Sequence, residues 1–539
     1  MMEQQECLFV DNKLFAESKR VERKRLFGGM IRDFRNRFCH YKSDFQDALT
    51  LKTLPTIVFV FLASITPAVT FGGLMGQYTE EAMGMSETLI AQCICGIIFA
   101  LFAAQPMMIV SATGPVLIFE HSLYMLCQAK DLDFLSIRVY AGFWIFVISI
   151  FVVAFDGARM LVYVTRFTED VFAVLISIIF FSESIKFLRI ANECRIGQPN
   201  TALLSFIAFI STFAIACTFK AVRESYWFGR HCRNFFGDYG VAVAIFLVSG
   251  VVHGRLNMPE TLSFTNSESR GHRWLVIPHF STMESRREAS QLSLAAALLV
   301  FMLMFAETEV TELLLLRKET KLTKGGGMHW DLLLMGFCAL LCSLTGLPWM
   351  CAAAVQSLAH CGALTINERK TPGGKLGSKI PPSRVIEQRV TALAVAILTG
   401  MFARLGQHLQ LPIASLFGVF MYLGVMNLIN VQLVERVTLF LRPVKYYPDT
   451  NYVRKVSVCR IHLFTVIQVL LLCGIYAVKQ SKQTALAFPF VLLLFVIFRH
   501  LAIGRIFTKG ELEALDGEED HEDEGEGGND CYGSAPIPV

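Results

Sequence analysis

Charged residues are scarce in this chain. They make up 17% of its 539 residues, whereas 54% are apolar. Soluble domains carry about 25% charged residues, so a water-soluble enzyme of this length would need a charged surface that the composition does not supply. The scarcity excludes most soluble classes and favours a protein of the membrane.

Two further features are missing. The first 25 residues contain no apolar stretch of the kind that a cleavable leader needs, so we expect the first hydrophobic segment to direct the chain to the membrane. No nucleophile motif of the form Gly-x-Ser-x-Gly occurs, and no carboxylate lies close in sequence to orient His360 beside Cys361. The sequence therefore predicts no enzymatic activity and no cofactor.

The 15 cysteines do not indicate a disulfide framework. Eight lie inside apolar runs, where we expect small buried side chains: Cys93, Cys95, Cys127, Cys217, Cys338, Cys342, Cys351 and Cys473. The spacing of Cys93 and Cys95 does not match a zinc site, and no pair of histidines accompanies it. No metal site is predicted.

Long hydrophobic runs dominate what is present. A hydrocarbon core about 30 Å thick needs ~20 apolar residues in each helical span, and about 14 segments approach this length. They begin near Leu54, Thr88, Met107, Val139, Val171, Leu203, Val241, Leu292, Leu332, Met350, Val390, Leu411, His462 and Ala485. We predict an all-α polytopic membrane protein with seven segments on each side of a long polar loop.

The division of the chain follows from these runs. We expect a basic cytoplasmic segment at 1–50, a first repeat at 51–253 and an extracellular loop at 254–290. A second repeat at 291–505 and an acidic cytoplasmic tail at 506–539 complete the chain. The tail holds 11 acidic residues between Glu511 and Asp530 and follows the last basic residue, Lys509.

The basic residues indicate the orientation, since Lys and Arg gather in short cytoplasmic connections. Nine of them lie between Lys19 and Lys42, and the connections at 220–233, 317–324, 369–384 and 436–460 are also basic. With an even number of segments, all of these fall on one side, so both termini are predicted to be cytoplasmic. This placement indicates topology and a lipid bilayer as the surroundings, and it does not favour a nucleic-acid partner.

Two segments are interrupted at matching places. Segment 3 contains Pro106, Gly114 and Pro115, and segment 10 follows Gly346 and Pro348. Proline removes a backbone donor and glycine loosens a helix, so each is predicted to be an extended lead-in followed by a half-helix. Each is third in its group of seven, which is typical of an inverted-repeat transporter with its site at the repeat interface. Two half-helix N-termini that face each other suit an anion.

Several longer stretches carry a family resemblance. ITPAVTFGGLMG, FALFAAQP and TGPVLIFE lie in segments 1 to 3, and RFTEDVFAVLIS, MFAETEVT, GGGMHWDLLL and EQRVTAL follow along the chain. In this order they resemble the bicarbonate transporters of solute carrier family 4, and most of all the band 3 type of anion exchanger. The resemblance runs from about Leu26 to Leu515.

The resemblance implies a fold of 7+7 inverted repeats. It implies a core domain of segments 1 to 4 and 8 to 11, a gate domain of the others, a homodimer formed through the gate domain and an elevator-like movement of the core. Family members of this type also have a large soluble N-terminal domain. Because about 50 residues precede the first segment here, we expect that domain to be missing.

Glu307 is the strongest candidate for a coupling or proton-binding group. It lies inside segment 8, where an ionisable side chain costs roughly 2.5 to 3.5 kcal/mol and therefore indicates a functional site. It matches the family's glutamate linked to proton-coupled anion movement. Glu309 and Glu312 follow it at helical spacing. A solvated cytoplasmic helix end is the alternative to a functional role for both, and for Glu312 it is what we expect.

Segment 10 departs from the exchanger pattern. The exchangers carry an arginine where this chain has Gln356, and a neutral amide does not supply the attraction of a guanidinium for anions. Gln356, Ser357 and His360 match the borate transporters of plants and fungi instead. Sodium-coupled relatives have a threonine where this chain has Ala354, and its hydroxyl contributes to their cation site. Without that hydroxyl, Thr311 remains as a possible oxygen ligand for a cation.

The remaining candidates lie at the ends of helices. Thr113, Gly114 and Pro115 open half-helix 3, where the threonine hydroxyl either caps the helix or binds the anion. Lys186 and Arg189 resemble the family's inhibitor-reactive KxxK motif, but two such cations also suit an interfacial pair. LEALDGEED resembles the tail motif said to meet carbonic anhydrase, and a solvated acidic tail is the alternative. Asn266-Ser-Glu is not a glycosylation acceptor.

Together these features predict a plasma-membrane secondary anion transporter. Its expected activity is sodium-independent exchange of chloride for bicarbonate, which regulates intracellular pH, with Thr113, Gly114, Pro115, Gln356 and Ser357 at the substrate and Glu307 as the coupling group. Borate or hydroxide/proton transport, and sodium-coupled bicarbonate cotransport, stay open as alternatives. A non-transporting anchor is less favoured, since the N-terminal domain expected to be missing carries the family's anchoring contacts. A channel is less favoured, since two half-helices in register suit alternating access.

Overall fold

The computed structural model describes most of the chain. It covers residues 26–80, 82–158, 165–193, 199–225, 229–255, 275–278, 283–316, 320, 322–366, 384–405, 412–429, 431–448, 450–480 and 488–516. The first half of the predicted basic N-terminal segment, most of the extracellular loop, including Asn266, and the tail beyond Asp516 lie outside these residues. The described part is almost entirely helical, which confirms the predicted fold class.

The first half begins with two short helices and continues with seven longer ones. These are α1 (Gly28–Phe38), α2 (Tyr41–Gln46), α3 (Thr53–Tyr78), α4 (Met85–Phe102), α5 (Gly114–Ala129), α6 (Phe134–Ala154), α7 (Arg166–Glu193), α8 (Pro199–Glu224) and α9 (Arg230–Arg255). A short strand, β1 (Val110–Ser111), precedes α5.

The second half repeats this order and then adds short elements near its end. Its helices are α10 (Met283–Leu315), α11 (Met328–Thr345), α12 (Ala354–Leu364), α13 (Val390–Leu405), α14 (Ile413–Leu428), α15 (Gln432–Leu439), α16 (Asn451–Lys455), α17 (Val458–Gln480), α18 (Phe488–Phe498), α19 (Gly504–Ile506) and α20 (Lys509–Asp516). Strand β2 (Cys351–Ala352) precedes α12, and β3 (Thr365–Ile366) pairs with β4 (Arg384–Val385). A 3₁₀ turn spans Val444–Tyr446 and a π turn spans Arg499–Ile503.

The predicted half-helices are confirmed. An extended strand leads into α5, of 16 residues, and another leads into α12, of 11 residues. Pro115 lies in the first turn of α5, where its missing N–H costs nothing. Gly346 ends α11 with a φ of +66°, a left-handed conformation that favours glycine, and so frees the chain to run extended toward β2.

The helix contacts follow the expected repeat. In two equivalent halves, segment 2 corresponds to segment 9 and segment 4 corresponds to segment 11, so a contact between segments 2 and 11 should recur between segments 9 and 4. Both contacts are present: α4 (segment 2) packs against α13 (segment 11), and α11 (segment 9) packs against α6 (segment 4). The contact of α3 with α12 likewise has its counterpart in the contact of α10 with α5. Such pairs are expected when two inverted repeats interlock.

The number of full spans is smaller than the number of predicted segments. Among the described helices, eight are long and apolar enough to cross a membrane: α3, α4, α6, α7, α8, α10, α11 and α17. A ninth results if α14 and α15, bent by 75° at their junction, form one span. The remaining described helices are too short or too polar over their length to count as full spans, so the count of fourteen stays a prediction.

A buried ion pair links the two half-helices. Arg138 on α6 and Glu120 on α5 are fully buried and lie 2.9 Å apart. Arg138 also donates to the Leu347 carbonyl at 2.8 Å, and Glu120 accepts the backbone N–H of Trp349 at 2.9 Å. The guanidinium lies 4.4 Å from the centre of the Trp349 ring. The pair therefore fixes the chain that leads into α12 against α5.

A second buried network fastens the N-terminal helices to the bundle. Asp44 on α2 accepts from Arg37 on α1, from Arg389 at the start of α13 and from Lys324 in the connection between α10 and α11. Arg37 also donates to the carbonyl of Ala104, beyond the end of α4. Four separate parts of the sequence meet at this one carboxylate.

Two expectations about burial were wrong. Cys473 is exposed, because it lies on the outward face of α17, although five of the other predicted cysteines are buried and Cys93 and Cys217 are half-buried. Glu312 is fully buried rather than solvated, because the loop before α11 folds over it and the backbone N–H of Gly327 donates to its carboxylate at 2.6 Å.

The ion pair on α6 gives a test of this packing. Arg138→Met should lower the free energy of unfolding by about 3–5 kcal/mol, because it leaves Glu120 buried and uncompensated. The double variant Glu120→Gln with Arg138→Met should recover part of that loss, since no buried charge remains and the amide oxygen still accepts from Trp349. Unfolding of the detergent-solubilised protein checks both, and equal losses in the two variants would contradict the role of the pair.

Candidate functional site

A cavity lies where the two half-helices meet three long helices. Its empty volume is about 450 Å³. Residues of α3, α7 and α10 and both half-helix N-termini line it: Pro67, Phe71, Ala112, Thr113, Gly114, Pro115, Phe172, Ile176, Ile179, Phe180, Glu307, Thr311, Ala352, Ala353, Ala354, Val355 and Gln356. The predicted residues Thr113, Gly114, Pro115, Glu307, Thr311 and Gln356 are thus brought together.

The two lead-in strands set the depth of the half-helices. β1 and β2 pair antiparallel, with Val110 opposite Ala352 and Ser111 opposite Cys351. The Ala353 N–H also donates to the carbonyl of Ile109 at 2.8 Å. Because each strand ends next to the start of its helix, this register places both helix N-termini on the same cavity.

Neither N-terminus is capped by its own side chain. Thr113 precedes α5 and Ala353 precedes α12, and neither makes a side-chain capping hydrogen bond. The first backbone N–H groups of a helix have no partner within the helix, and each N-terminus carries roughly +0.5 of a charge. The cavity therefore has two converging sets of donors that suit a small anion.

Glu307 is the carboxylate that lines the cavity. Its side chain is buried, at 4% exposure, and its Oε2 accepts from the Thr113 hydroxyl at 2.8 Å. The Cys351 thiol on β2 also hydrogen-bonds to the carboxyl. Of the two roles predicted for Thr113, capping of α5 is therefore not observed. Its hydroxyl instead joins α5 to α10.

Thr311 lies one turn further along α10 and lines the same cavity. Its hydroxyl donates to the Glu307 carbonyl at 2.6 Å and lies 3.5 Å from the Ala352 carbonyl. Among the described residues, no group of three or more His, Cys, Asp or Glu side chains could hold a metal ion. The expected contact of Thr311 with a cation stays a prediction.

Gln356 supplies the amide of the cavity. It lies in the first turn of α12, is 3% exposed and makes no side-chain hydrogen bond within the part of the chain that the structure describes. The adjoining Ala352, Ala353 and Ala354 leave the α12 backbone accessible. No Lys, Arg or His is found among the lining residues, so the positive field here comes from backbone N–H groups alone.

Ser357 and His360 point away from the cavity and hold the lead-ins together. The Ser357 hydroxyl donates to the Ala353 carbonyl at 2.7 Å and accepts the Ile109 N–H at 2.9 Å. His360 Nδ1 lies 3.0 Å from the carbonyl of Met107. Ser357 does not line the cavity, and its expected contact with the substrate stays a prediction.

Lys186 and Arg189 lie further along α7 and do not line the cavity. Lys186 is exposed and donates to Glu183 at 2.8 Å, an i to i+3 pair on the same helix. Arg189 is also exposed. Their reaction with an inhibitor stays a prediction.

The sequence did not single out the aromatic wall. Phe71 on α3 packs edge-on against Phe420 on α14, and Phe180 on α7 stacks on the same ring at 4.3 Å. Phe172, Ile176 and Phe180 recur at intervals of four along α7, which places them on one helix face. That spacing was the available signal, but it does not distinguish a cavity wall from ordinary packing.

Comparison with a family model gives a match over most of the chain. The model, described as the HCO3- transporter integral membrane domain, matches residues 25–196 and 188–520.

Several curated proteins are similar over nearly the whole chain. Anion exchange protein 2 of Equus caballus is 38% identical over 96% of this chain and 45% of its own length. Anion exchange protein 3 of Danio rerio is 38% identical over 95% of this chain and 46% of its own length. Band 3 anion transport protein of Rattus norvegicus is 37% identical, over 96% and 58%. The chain therefore spans about half the length of the curated relatives it matches.

Solved structures give a more distant likeness. The transmembrane domain of the cyanobacterial bicarbonate transporter BicA is 16% identical, with a TM-score of 0.47 over 78% of this chain and 95% of that one. Murine solute carrier 26 family member A9 is 14% identical, with a TM-score of 0.47 over 84% of this chain and 68% of that one. Scores at this level support no inference about function.

Proposed function

This chain belongs to the family defined by the HCO3- transporter integral membrane domain, and from that premise we propose that it is a secondary active anion transporter of the plasma membrane. Its proposed activity is sodium-independent exchange of chloride for bicarbonate by alternating access, which would regulate intracellular pH. The relatives that it resembles are named as anion exchange and anion transport proteins, and none of these names is that of an enzyme.

The convergence of two uncapped half-helix N-termini on one cavity carries the proposal. Small anions bind where several backbone N–H groups point at one place. The cavity also lies between the half-helices and α7, so it is bounded by helices of both proposed domains. An elevator-like movement of the core past α7 would then carry the anion from one side to the other.

Glu307 sets the charge that the site accepts. Two helix N-termini supply together roughly one positive charge, and an ionised Glu307 would cancel it. With a proton on Glu307, the cavity would balance one negative charge from the substrate. Its proposed role is therefore to link a proton to the movement of the anion, with Thr113 holding the carboxyl in place.

One observation supports sodium independence. Ala354 lines the cavity without an oxygen in its side chain. A sodium ion needs several oxygen ligands, since hard cations prefer oxygen, and the Ala354 side chain supplies none.

The partners are also proposals. A homodimer through the gate domain and recruitment of carbonic anhydrase to the acidic tail follow from the family resemblance alone. In the tail motif, Asp516 is buried and accepts from the Phe167 backbone N–H and from Arg499, both at 2.6 Å. A partner of the tail would therefore bind beyond Asp516 or first displace it.

Borate or hydroxide/proton transport is the second candidate, and Gln356 favours it. An amide both donates and accepts hydrogen bonds, so it suits the hydroxyl groups of a neutral weak acid as well as an anion. The absence of a cationic side chain among the described lining residues points the same way.

Ion substitution in proteoliposomes separates these candidates. We expect bicarbonate uptake that requires chloride on the opposite side and is unchanged when sodium is replaced by an impermeant cation. Borate flux that is insensitive to chloride would instead support the second candidate. Flux without any counter-anion would indicate a channel.

Glu307→Gln tests the coupling group. The variant keeps the shape of the side chain and the hydrogen bond from Thr113 but holds no exchangeable proton, so anion flux should lose most of its dependence on pH. Glu435→Gln, on the exposed face of α15, serves as the matched control and should keep it. Unchanged flux across the pH range in Glu307→Gln would exclude this role.

Gln356→Arg tests the missing cation. A guanidinium in the first turn of α12 adds a full charge beside the anion, so the apparent affinity for chloride should rise and borate flux, if any, should fall. Gln356→Lys adds the same charge without a planar fork and is expected to act in the same direction but less strongly. Lower chloride affinity in both variants would show that the amide itself makes the contact.

A further inference from the structure

A carboxyl without a partner lies on the far side of α10 from the cavity. Glu309 is fully buried, and neither of its oxygens has a hydrogen-bond partner among the described residues. Successive residues of an α-helix are about 100° apart, so Glu307 and Glu309 lie on opposite sides of the helix. Glu309 therefore takes no part in the site described above.

The groups that face Glu309 are acidic. Asp331 in the first turn of α11 and Asp33 on α1 both act on it electrostatically. Glu312, one turn further along α10, is fully buried as well, and its Oε2 has no partner within the described structure. The acidic groups thus come from three separate helices that pack together here.

The surrounding donors are already used by the other carboxyl groups. Asp331 accepts the backbone N–H groups of Ala104 and Gln105, at 2.5 and 2.8 Å. Glu312 accepts the N–H of Gly327 at 2.6 Å. The described cations nearby face other partners: His329 lies 3.1 Å from Asp33 and 3.8 Å from Asp156, and Arg389 is bound to Asp44. Within the described part of the chain, Glu309 is left without a donor.

Such a group is costly to keep ionised. A buried charge without a partner is strongly unfavourable, and carboxylates that share one site cannot all be ionised. A metal ion does not resolve the conflict, since the described carboxyl groups do not come together in a geometry that could hold one. A proton is the ligand that fits.

We propose that Glu309, with Glu312 and Asp331 around it, is a proton-binding site separate from the transport cavity. Release of the proton would place a further negative charge among Asp33, Asp331 and Glu312 and weaken the contacts of α11 with α10 and with α1. Because α10 carries Glu307 and Thr311 on its other face, the state of this cluster would bias the site. On the proposed topology the cluster lies toward the cytoplasm, so it would respond to intracellular pH.

Thermal unfolding against pH tests the proton site without any transport. The folded protein would hold a proton that the unfolded chain releases, so the melting temperature of the full chain in nanodiscs should fall as pH rises from about 6 to about 9. Glu309→Gln should lose much of this fall, because an amide binds no proton. Glu435→Gln should keep it. The same pH dependence in Glu309→Gln and in the native chain would refute the proposal.

Infrared difference spectroscopy provides a second measurement. In a Glu307→Gln background, which removes the carboxyl of the cavity, the carbonyl-stretch band of a protonated acid should be present at neutral pH and should lose intensity on addition of Glu309→Gln. Its absence at neutral pH would overturn the proposal even if Glu309→Gln does not fold. Stabilisation by sodium at fixed pH, abolished in Glu309→Gln, would show that a cation binds there instead of a proton. Neither measurement depends on which anion is carried.

Discussion

The antiparallel pairing of two strands, each of only two residues, is the contact on which the site depends. Val110 lies opposite Ala352 and Ser111 opposite Cys351, at the point where both helical segments are interrupted. Backbone groups inside a membrane must find partners within the protein, and these strands satisfy each other. Since each strand runs directly into its half-helix, one register fixes both N-termini. The side chains of Ser357 and His360 strengthen it from the side away from the cavity.

The few charges of the chain fall into two electrostatic situations. Arg138 with Glu120, and Asp44 with Arg37, Arg389 and Lys324, are buried but paired, and they fix elements that are distant in sequence. A buried pair is weak support for stability but costly to break, so these contacts define geometry more than they add free energy. Glu307 and Glu309 are buried without a cation among the described groups that contact them. Glu307, and Glu309 with Glu312 and Asp331 around it, are therefore the groups that we propose as proton-binding sites.

Sequence patterns predicted the local features of the site well and the tertiary ones poorly. Pro106, Gly114, Pro115, Gly346 and Pro348 act on the backbone at their own positions, so the interrupted segments could be placed before any packing was known. Glu307 could be identified as a candidate because an ionisable side chain inside an apolar run is costly and therefore indicates a functional site.

The burial of Glu312 could not be predicted in this way. It lies near the end of a helix of 33 residues, where sequence alone favours solvent. Its burial depends on a loop and two helices, α1 and α11, that come from elsewhere in the chain. Similarly, helical spacing could not tell that Gln356 faces the cavity and Ser357 faces the lead-in of the other half-helix, because the direction of α12 is set by the strand pairing. Exposure of Cys473 depends in the same way on which face of α17 is left uncovered.

A site without a cationic side chain has a specific physical consequence. The field of a guanidinium would be permanent, whereas the positive field here comes from two helix N-termini and is of the order of one charge in total. When ionised, Glu307, the one carboxyl group among the lining residues, carries a negative charge of comparable size. One proton on Glu307 therefore changes the net field of the cavity from near zero to clearly positive. In the proposed anion site, protonation of Glu307 and anion binding would be two parts of one electrostatic balance, and selectivity among anions would come from the geometry of the N–H groups and of Gln356.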